Sequence, residues 1–176
     1  MAKSSFKQIK EDEKKVLNQL LDDSRRSPNE IANKLKFSRQ KVWKIIKKLE
    51  KEKKIWGYTA IVNEYDKDKR VHFALIKHKV PYLDNTSQII KNVKNDNSSK
   101  LDIKLLDLYY TNGYYDCICK FAAKDLKDAK KYVGYLSKEY EDCVSEIHLV
   151  ESVFNIVQSN KINPNLEELR QFSIEN

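Results

Sequence analysis

SRQKVWKIIKKLEKEKK, residues 38–54, has the periodicity of one amphipathic helix. Its apolar side chains recur every three or four positions, so they share one face, and that face requires a core. The opposite face consists of one glutamine and a row of lysines. The outward positions are Gln40, Lys44, Lys47 and Lys51, and Lys41 and Lys48 widen the row on one flank.

Two interpretations of this cationic face are open. A charge run on a helix is usually a solvated surface. A regular rod about 10–12 Å across also fits the major groove of B-DNA, and the only balancing acids in the stretch are Glu50 and Glu52. Whether this face is a solvated surface or a nucleic-acid interface depends on the charge and the motifs of the rest of the chain.

Charge is distributed unevenly along the 176 residues. Residues 1–58 hold 17 Lys and Arg against 8 Asp and Glu, a net charge of +9, whereas residues 59–176 hold 17 against 18, a net charge of −1. The excess of the whole chain, +8, therefore lies in its first third. A polyanionic partner for that third, and a different role for the remainder, is the simplest account.

Several classes of protein do not fit the composition. No apolar run approaches the roughly 20 residues that cross a bilayer, and the N-terminal residues lack the apolar stretch of a secretory signal. Cys117, Cys119 and Cys143 show neither a disulfide framework nor metal-ligand spacing. We therefore expect a soluble cytoplasmic protein with no membrane partner, metal or cofactor.

Two shorter helices are predicted ahead of the basic helix. Residues 12–21 place four apolar side chains on one stripe, with acids in the first turn, where the helix dipole favours them. The segment SPNEIANKLK begins with the capping-box pair Ser27 and Glu30 and has Pro28 at the first helical position. Ser38 is the expected N-cap of the basic helix. Two helices, a tight turn and a basic third helix predict a helix-turn-helix.

The N-terminal end of the recognition helix in such a motif lies nearest the base edges. Arg39 and Gln40 are there, and Arg pairs well with guanine and Gln with adenine. Lysines farther along the helix would hold phosphates and supply salt-dependent affinity. The predicted DNA-binding residues are Ser38, Arg39, Gln40, Lys41, Lys44, Lys47, Lys48 and Lys51.

Past the basic helix the pattern becomes extended. IWGYTAIV, residues 55–62, predicts a wing or an exit strand, and the charged residues 63–70 predict a linker. The predicted domains are a helix-turn-helix at 1–59, a hinge strand and linker at 60–70, a second domain at 71–158, and a C-terminal tail at 159–176. The tail is either a short docking helix or frayed.

The second domain alternates strand-like and helix-like segments. Strands are predicted at 71–80, 103–110, 114–123 and 144–158, and helices at 85–94 and 125–142. The order βαββαβ predicts a ferredoxin-like sheet with both helices on one face. The strands are apolar on both alternations, so the uncovered face predicts association. The fold class is α+β, with a winged helix-turn-helix followed by a ferredoxin-like domain.

Two other functions were weighed against DNA binding. RNA-binding RRM domains share the βαββαβ order, and GYYDCICKF is similar to their aromatic third-strand motif, but Asp116 interrupts it and the domain is not basic. An enzyme would need a nucleophile, metal spacing or phosphate loop beside its histidines, and the chain has none of these patterns. His72, His78 and His148 are therefore expected to be partly buried sheet residues, and Cys117 and Cys119 small core residues.

SRQKVWKIIKKLEKEKKIWGYTAIV and the later TNGYYDCICKFAAKDL together resemble the Lrp/AsnC family of feast-or-famine transcriptional regulators, over about Ile9 to Gln158. The resemblance implies a winged helix-turn-helix, a hinge strand and a ferredoxin-like effector domain of the RAM type. It also implies double-stranded DNA as partner, and a homodimer that often assembles further into octamers. Trp43 and Ile45 depart from the family, which usually shows basic residues at those positions.

The same resemblance implies that a small molecule, commonly an amino acid, binds between subunits near a Gly-x-x-Asp turn. The predicted effector-binding residues are Thr111, Asn112, Gly113, Tyr114 and Asp116. Asp116 would accept a hydrogen bond from the ammonium group, and backbone N–H groups would hold the carboxylate. The alternative is a plain hairpin turn in which Gly113 supplies a positive φ.

Overall fold

The computed structural model describes residues 5–64, 68–79 and 101–170. The chain divides into two compact units, Met1–Ala60 and Ile61–Asn176. Within the described ranges no helix has the length and apolar character needed to span a bilayer.

Three helices build the first unit: α1 (Phe6–Asp22), α2 (Pro28–Leu35) and α3 (Arg39–Lys51). Helix α1 begins earlier than predicted because the Ser5 side chain caps it. The acids at its centre are therefore not in the first turn, which corrects that expectation. The predicted capping box of α2 is confirmed, since Ser27 Oγ accepts from the N–H of Glu30 and the Glu30 carboxylate accepts from the N–H of Ser27.

The apolar faces of the three helices enclose one core. On α3, Val42 and Ile46 are one turn apart and both are buried, as their spacing predicts. The turn between α2 and α3 is tight because Lys36 adopts a left-handed conformation with φ of 55°, and the N–H of Phe37 returns to the carbonyl of Ala32 at 2.9 Å. The core residues are Val16, Leu20, Ile31, Ala32, Val42 and Ile46.

The structure corrects the prediction of a wing or exit strand at residues 55–62, whereas the hinge strand and linker at 60–70 stay a prediction. Residues 55–63 have no strand assignment. Ile55 instead packs against the helical core, and its N–H bonds the carbonyl of Leu49 at 3.2 Å. A strand needs a neighbour for its backbone donors and acceptors, and within the described residues neither β-sheet includes residues 55–62.

The second unit contains a four-stranded antiparallel sheet of order β2-β3-β1-β4. Its strands are β1 (Arg70–His78), β2 (Lys104–Tyr110), β3 (Cys117–Ala123) and β4 (Val144–Glu151), and helix α4 (Leu126–Glu139) joins the last two. This order is the one a ferredoxin-like chain produces, so the α+β prediction is confirmed. The predicted helix at 85–94 lies outside the described residues.

Helix α4 covers one face of this sheet. Phe121 of β3 is fully buried and meets Tyr132 of α4 edge to face, with ring centroids 4.9 Å apart. Cys117 and Cys119 lie on the same side of β3 and are buried, which confirms them as core residues. Successive side chains of a strand alternate between faces, so Ile118, Lys120 and Ala122 belong to the opposite face.

The predicted final strand at 144–158 is too long. Strand β4 ends at Glu151, and two short strands, β5 (Val157–Gln158) and β6 (Lys161–Ile162), form a separate hairpin. Ser159 and Asn160 both have positive φ, as a two-residue hairpin turn requires. The hairpin therefore spans the predicted boundary between the second domain, which was to end at residue 158, and the tail, which was to begin at residue 159. A short 3₁₀ turn follows at Leu166–Glu168.

Candidate nucleic-acid interface

Helix α3 presents the predicted cationic face to solvent. Arg39, Gln40, Lys44 and Lys51 are exposed, and none of them forms an ion pair with a residue that the structure describes. Lys47 is also exposed, but its Nζ lies 2.8 Å from a carboxylate oxygen of Glu50 on the same helix. The structure thus brings a column of cationic and amide side chains together along the outer side of one rod.

The start of α3 is held by its cap. Ser38 Oγ accepts a hydrogen bond from the backbone N–H of Lys41 at 3.2 Å. This bond satisfies one of the donors that a helix leaves unpaired at its N-terminus. Ser38 is therefore engaged in fixing the helix end, next to Arg39 and Gln40, the two predicted base-reading positions.

Lys41 does not lie on the outer face. Its Nζ is 2.6 Å from Asp12 of α1, and it lies 3.9 Å from the centre of the Phe37 ring. The Asp12 side chain is only 5% exposed. Its pKa is held below the ordinary value, chiefly by the hydrogen bond from Lys41 and also by one from Gln8, although burial acts in the opposite direction.

Lys48 makes the same kind of contact about two turns farther along α3. Its Nζ lies 2.5 Å from Glu13 of α1, whose side chain is 8% exposed, and Lys54 approaches the other oxygen of Glu13 at 3.5 Å. The hydrogen bond that Lys48 donates to the Glu13 carboxylate raises the pKa of Lys48 above its ordinary value. Together, the Asp12–Lys41 and Glu13–Lys48 pairs fasten the flank of α3 to α1.

Sequence reasoning missed Asp12 and Glu13 as partners of the recognition helix. Both are buried on the same stripe of α1 as Val16 and Leu20. The available signal was their spacing, because Asp12 stands four residues ahead of Val16 and would share its face. Two acids on an apolar stripe require cations from another element, and α3 supplies them.

The predicted effector residues lie together in the turn between β2 and β3. The N–H of Thr111 donates to the carbonyl of Asp116 at 3.0 Å, and Thr111 Oγ1 donates to the carbonyl of Tyr115 at 2.6 Å. Asp116 Oδ2 accepts the backbone N–H of His78 at 2.8 Å, next to a register shift between β1 and β4. The Asp116 carboxylate therefore satisfies the backbone N–H of His78, the last residue of β1.

Gly113 does not have the positive φ that the hairpin-turn alternative assigned to it. A Cβ atom at this position would meet nothing within 4 Å. The glycine is therefore not required by the backbone of this turn. Its neighbour Tyr114 is exposed, and the Lys77 ammonium lies over the Tyr114 ring, with Nζ 3.6 Å from the ring centre.

The histidines of the sheet have different surroundings. His72 is fully buried against Phe121, with ring centroids 5.6 Å apart, so it is more buried than predicted. His148 is exposed, and its Nδ1 lies 2.7 Å from the hydroxyl of Tyr115. Burial raises the pKa of the Cys117 thiol to about 11, which disfavours the reactive thiolate. Within residues 5–64, 68–79 and 101–170, no three potential metal ligands cluster.

The sheet does not have the surface of an RRM domain. That class of domain stacks bases on aromatic side chains that β1 and β3 expose on the open face. The aromatic residue of β3 here, Phe121, lies on the covered face beneath α4. The opposite face of β3 carries Ile118 and Lys120, which are half-buried, and Ala122, which is fully buried, and Phe73 of β1 on the same face is also half-buried. This geometry disfavours the RNA-binding alternative.

A sequence profile described as winged helix-turn-helix DNA-binding matches residues 13–55, which include α2, α3 and most of α1. No curated protein sequence matches the chain. The matched segment is the part of the molecule that carries the cationic face of α3, so the profile and the geometry agree on the same surface.

Several solved structures are similar to this chain over most of its length. An AsnC family transcriptional regulator from Agrobacterium tumefaciens is 15% identical with a TM-score of 0.65, over 88% of this chain and 96% of its own. The leucine response regulatory protein LrpA of Mycobacterium tuberculosis is 14% identical with a TM-score of 0.68, over 86% and 97%. A transcriptional regulator of Neisseria meningitidis, in complex with L-Met, is 14% identical with a TM-score of 0.65, over 88% and 96%.

At these identities the likeness concerns the fold, and it spans both units. The α+β fold class predicted from the sequence, a helix-turn-helix followed by a four-stranded antiparallel sheet, is thereby confirmed. Residues 13–55 thus match a winged helix-turn-helix DNA-binding profile, and the described chain combines these helices with an antiparallel α+β sheet, the fold of the AsnC-family and LrpA regulator structures.

Proposed function

We propose that the chain is a sequence-specific, DNA-binding transcriptional regulator of the AsnC/Lrp type, in which α3 enters the major groove. The proposal rests on the difference between two sides of α3. One flank is fastened to buried acids of α1, whereas the outer face keeps Arg39, Gln40, Lys44 and Lys51 exposed and without ion pairs among the described residues. Cations left available on a rigid helix are suited to phosphates and base edges.

The roles of these side chains follow from their positions along the helix. Arg39 and Gln40 are in the first turn, where a recognition helix approaches the bases, so they are the proposed sequence readers. Lys44 and Lys51 follow on the same face and are the proposed phosphate contacts. Lys47 contacts Glu50 in the free protein, so its contribution requires that this exposed pair open.

Salt-dependent titration tests the proposal. Wild-type protein should bind duplex DNA with a logarithmic affinity that falls linearly with the logarithm of salt concentration, and Lys51→Ala should reduce the slope by about one. Lys130→Ala, an exposed lysine on α4, is the matched control and should leave the slope unchanged. Absence of DNA binding at low salt, or equal slopes for wild type and Lys51→Ala, would contradict the proposed role of α3.

The proposal includes a homodimer formed through the open sheet face, with further assembly into octamers. Register places Tyr109, Ile118, Leu75 and His148 in one row across all four strands. Tyr109 on one edge strand, β2, is 53% exposed, and Val150 on the other edge strand, β4, is 45% exposed. An apolar sheet surface of this kind is suited to association with a second copy.

Light scattering tests the dimer. The double variant Tyr109→Glu with Val150→Glu should be a monomer, because it introduces two charges into the proposed interface while altering only exposed side chains. Val157→Glu, in the separate hairpin, is the control and should keep the oligomeric state of the wild type. A monomeric wild type at micromolar concentration would contradict the interface.

The proposal also includes an amino-acid effector at the turn of Thr111, Asn112, Gly113, Tyr114 and Asp116, between subunits. One structural relative is a complex with L-Met. Asp116 uses Oδ2 for the N–H of His78, while Oδ1 has no hydrogen bond to a described residue and is suited to an ammonium group. Exposed Gly113 leaves open space beside it for a ligand to approach the backbone.

Thermal-shift screening of the amino acids, followed by calorimetric titration, tests the effector site. Asp116→Asn keeps an oxygen for the N–H of His78 and removes only the charge, so it should lose ligand affinity without losing the turn. Asp142→Asn makes the same change at an exposed site away from the turn and serves as the control. Equal ligand affinity for wild type and Asp116→Asn would exclude Asp116 as a contact.

A further inference from the structure

Trp43 is the one large apolar side chain that α3 exposes. The other apolar residues of this helix are buried or half-buried against the core, whereas Trp43 is 52% exposed. Its indole N–H has no hydrogen-bond partner among the described residues. An exposed tryptophan gives up a large burial energy, so its position on the outer side of the recognition helix requires an explanation.

The position of Trp43 is that of a second-turn reader. It lies four residues after Arg39 and three after Gln40, so the three side chains are neighbours on the helix surface. Lys47 is one turn farther along the same side, and Lys44 adjoins it. A helix docked into a groove through its cations would therefore carry Trp43 into that groove between the proposed base readers and the phosphate contacts.

The major groove offers one apolar feature that matches an indole. The C5-methyl group of thymine projects into it, and apolar side chains distinguish thymine by contact with this methyl group. The flanking cations select a polyanion over an apolar protein partner, because an acidic duplex satisfies Arg39, Lys44 and Lys47 while covering the indole. We propose that Trp43 reads thymine methyl groups and gives the protein a preference for A·T base pairs.

This inference rests on the proposed DNA binding, and its test separates the two. The probes are alternating dA·dT duplexes and the same duplexes with deoxyuridine for every thymidine, which removes only the methyl groups. Wild type should bind the thymine duplex about fourfold more tightly for each methyl group that the indole covers. Trp43→Ala should bind both duplexes with equal affinity.

The chain offers a matched control for the variant. Trp56 is 96% exposed but lies outside α3, so Trp56→Ala should retain the full preference for thymine. In a Trp56→Phe background, Trp43 is the sole tryptophan, and its fluorescence should change more on binding the thymine duplex than the uracil duplex. Because Trp43 is half-exposed, its replacement by alanine should leave the fold intact, which circular dichroism verifies.

Two outcomes would overturn the inference while leaving DNA binding in place: equal affinity of wild type for both duplexes, or an unchanged thymine preference in Trp43→Ala. The second would show that the preference arises from duplex stiffness or groove shape. Failure of wild type to bind either duplex at low salt would overturn the proposed function itself, and the inference with it.

Discussion

Helix α3 carries two sets of lysines with identical chemistry and different surroundings. Lys44 and Lys51 extend outward, whereas Lys41 and Lys48 contact Asp12 and Glu13 of α1 at 2.6 and 2.5 Å. A rotation of about 100° per residue separates neighbouring positions on a helix, and this is enough to place one lysine at solvent and another against a buried acid. A lysine on a recognition helix is therefore not by itself a phosphate contact.

The largest expected effect is on the outward set. Reversing both charges, Lys44→Glu with Lys51→Glu, should weaken DNA binding on the order of 100-fold at moderate salt and leave the thermal unfolding of the protein unchanged. Fluorescence anisotropy and circular dichroism measure the two quantities. Lys127→Glu with Lys130→Glu on α4 makes the same charge change and should leave affinity intact. Loss of stability in the α3 variant would show that the outward lysines are structural.

Lys41 should show the opposite pattern. Lys41→Met leaves the buried carboxylate of Asp12 without its cation, which should lower the free energy of unfolding of the first unit by about 2 kcal/mol. Both tryptophans lie in this unit, so their fluorescence during urea denaturation reports it. Lys44→Met is the control, and a similar loss of stability in both variants would remove the distinction between the two sets.

A smaller loss of stability is expected for Lys48→Met. Glu13 retains Lys54, which already lies 3.5 Å from its second oxygen, so the buried acid is not left without a cation. The double variant Lys48→Met with Lys54→Met should therefore lose more than the sum of the single variants. Strict additivity in urea denaturation would indicate that Lys54 does not substitute for Lys48.

The smallest effect concerns pH. The pKa of Asp12 is below its ordinary value of 3.8 in the folded protein, mainly because of the hydrogen bond from Lys41. A lowered pKa means that the ionised form stabilises the fold above about pH 4, and this stabilisation is lost as the pH falls through the lower, folded pKa. Asp12→Asn should therefore lose its stability deficit relative to wild type as the pH falls from about 5 through the lowered, folded pKa of Asp12.

A constant difference between Asp12→Asn and wild type across that range would contradict the ion-pair account of Asp12. Asp142→Asn, an exposed acid in the second unit, should follow wild type at every pH and serves as the control. Tryptophan fluorescence again restricts the readout to the first unit.

Much of the fold was predictable because its determinants are local. The capping box of Ser27 and Glu30 needs only three residues of spacing, and the buried face of Val42 and Ile46 needs only a helical period. The boundaries were less predictable. Residues 152–158 are as apolar as a strand, yet β4 ends at Glu151, because β1 pairs with β4 only as far as His72 opposite Glu151.

The candidate sites likewise contain features that the local sequence predicts and contacts that it does not. The column from Arg39 to Lys51 followed from periodicity and charge, and so did the outward position of Lys44. The contacts of Lys41 with Asp12, and of Asp116 with His78, join positions 29 and 38 residues apart in sequence. No pattern within either segment specifies such a partner, since both ends have to be oriented by packing first.

The sequence alone determined which segments form the three helices of the first unit, where the caps of α2 and α3 lie, which faces are apolar and where positive charge concentrates, because each depends on neighbours within one or two turns. Tertiary structure decided which lysines remain available, since that depends on how α1 packs across α3. It also decided that the Asp116 carboxylate satisfies the backbone N–H of His78 and that Trp43 stays at the surface. Side-chain identity sets what a residue can bind, and the packing of distant segments sets which of those bonds are already made.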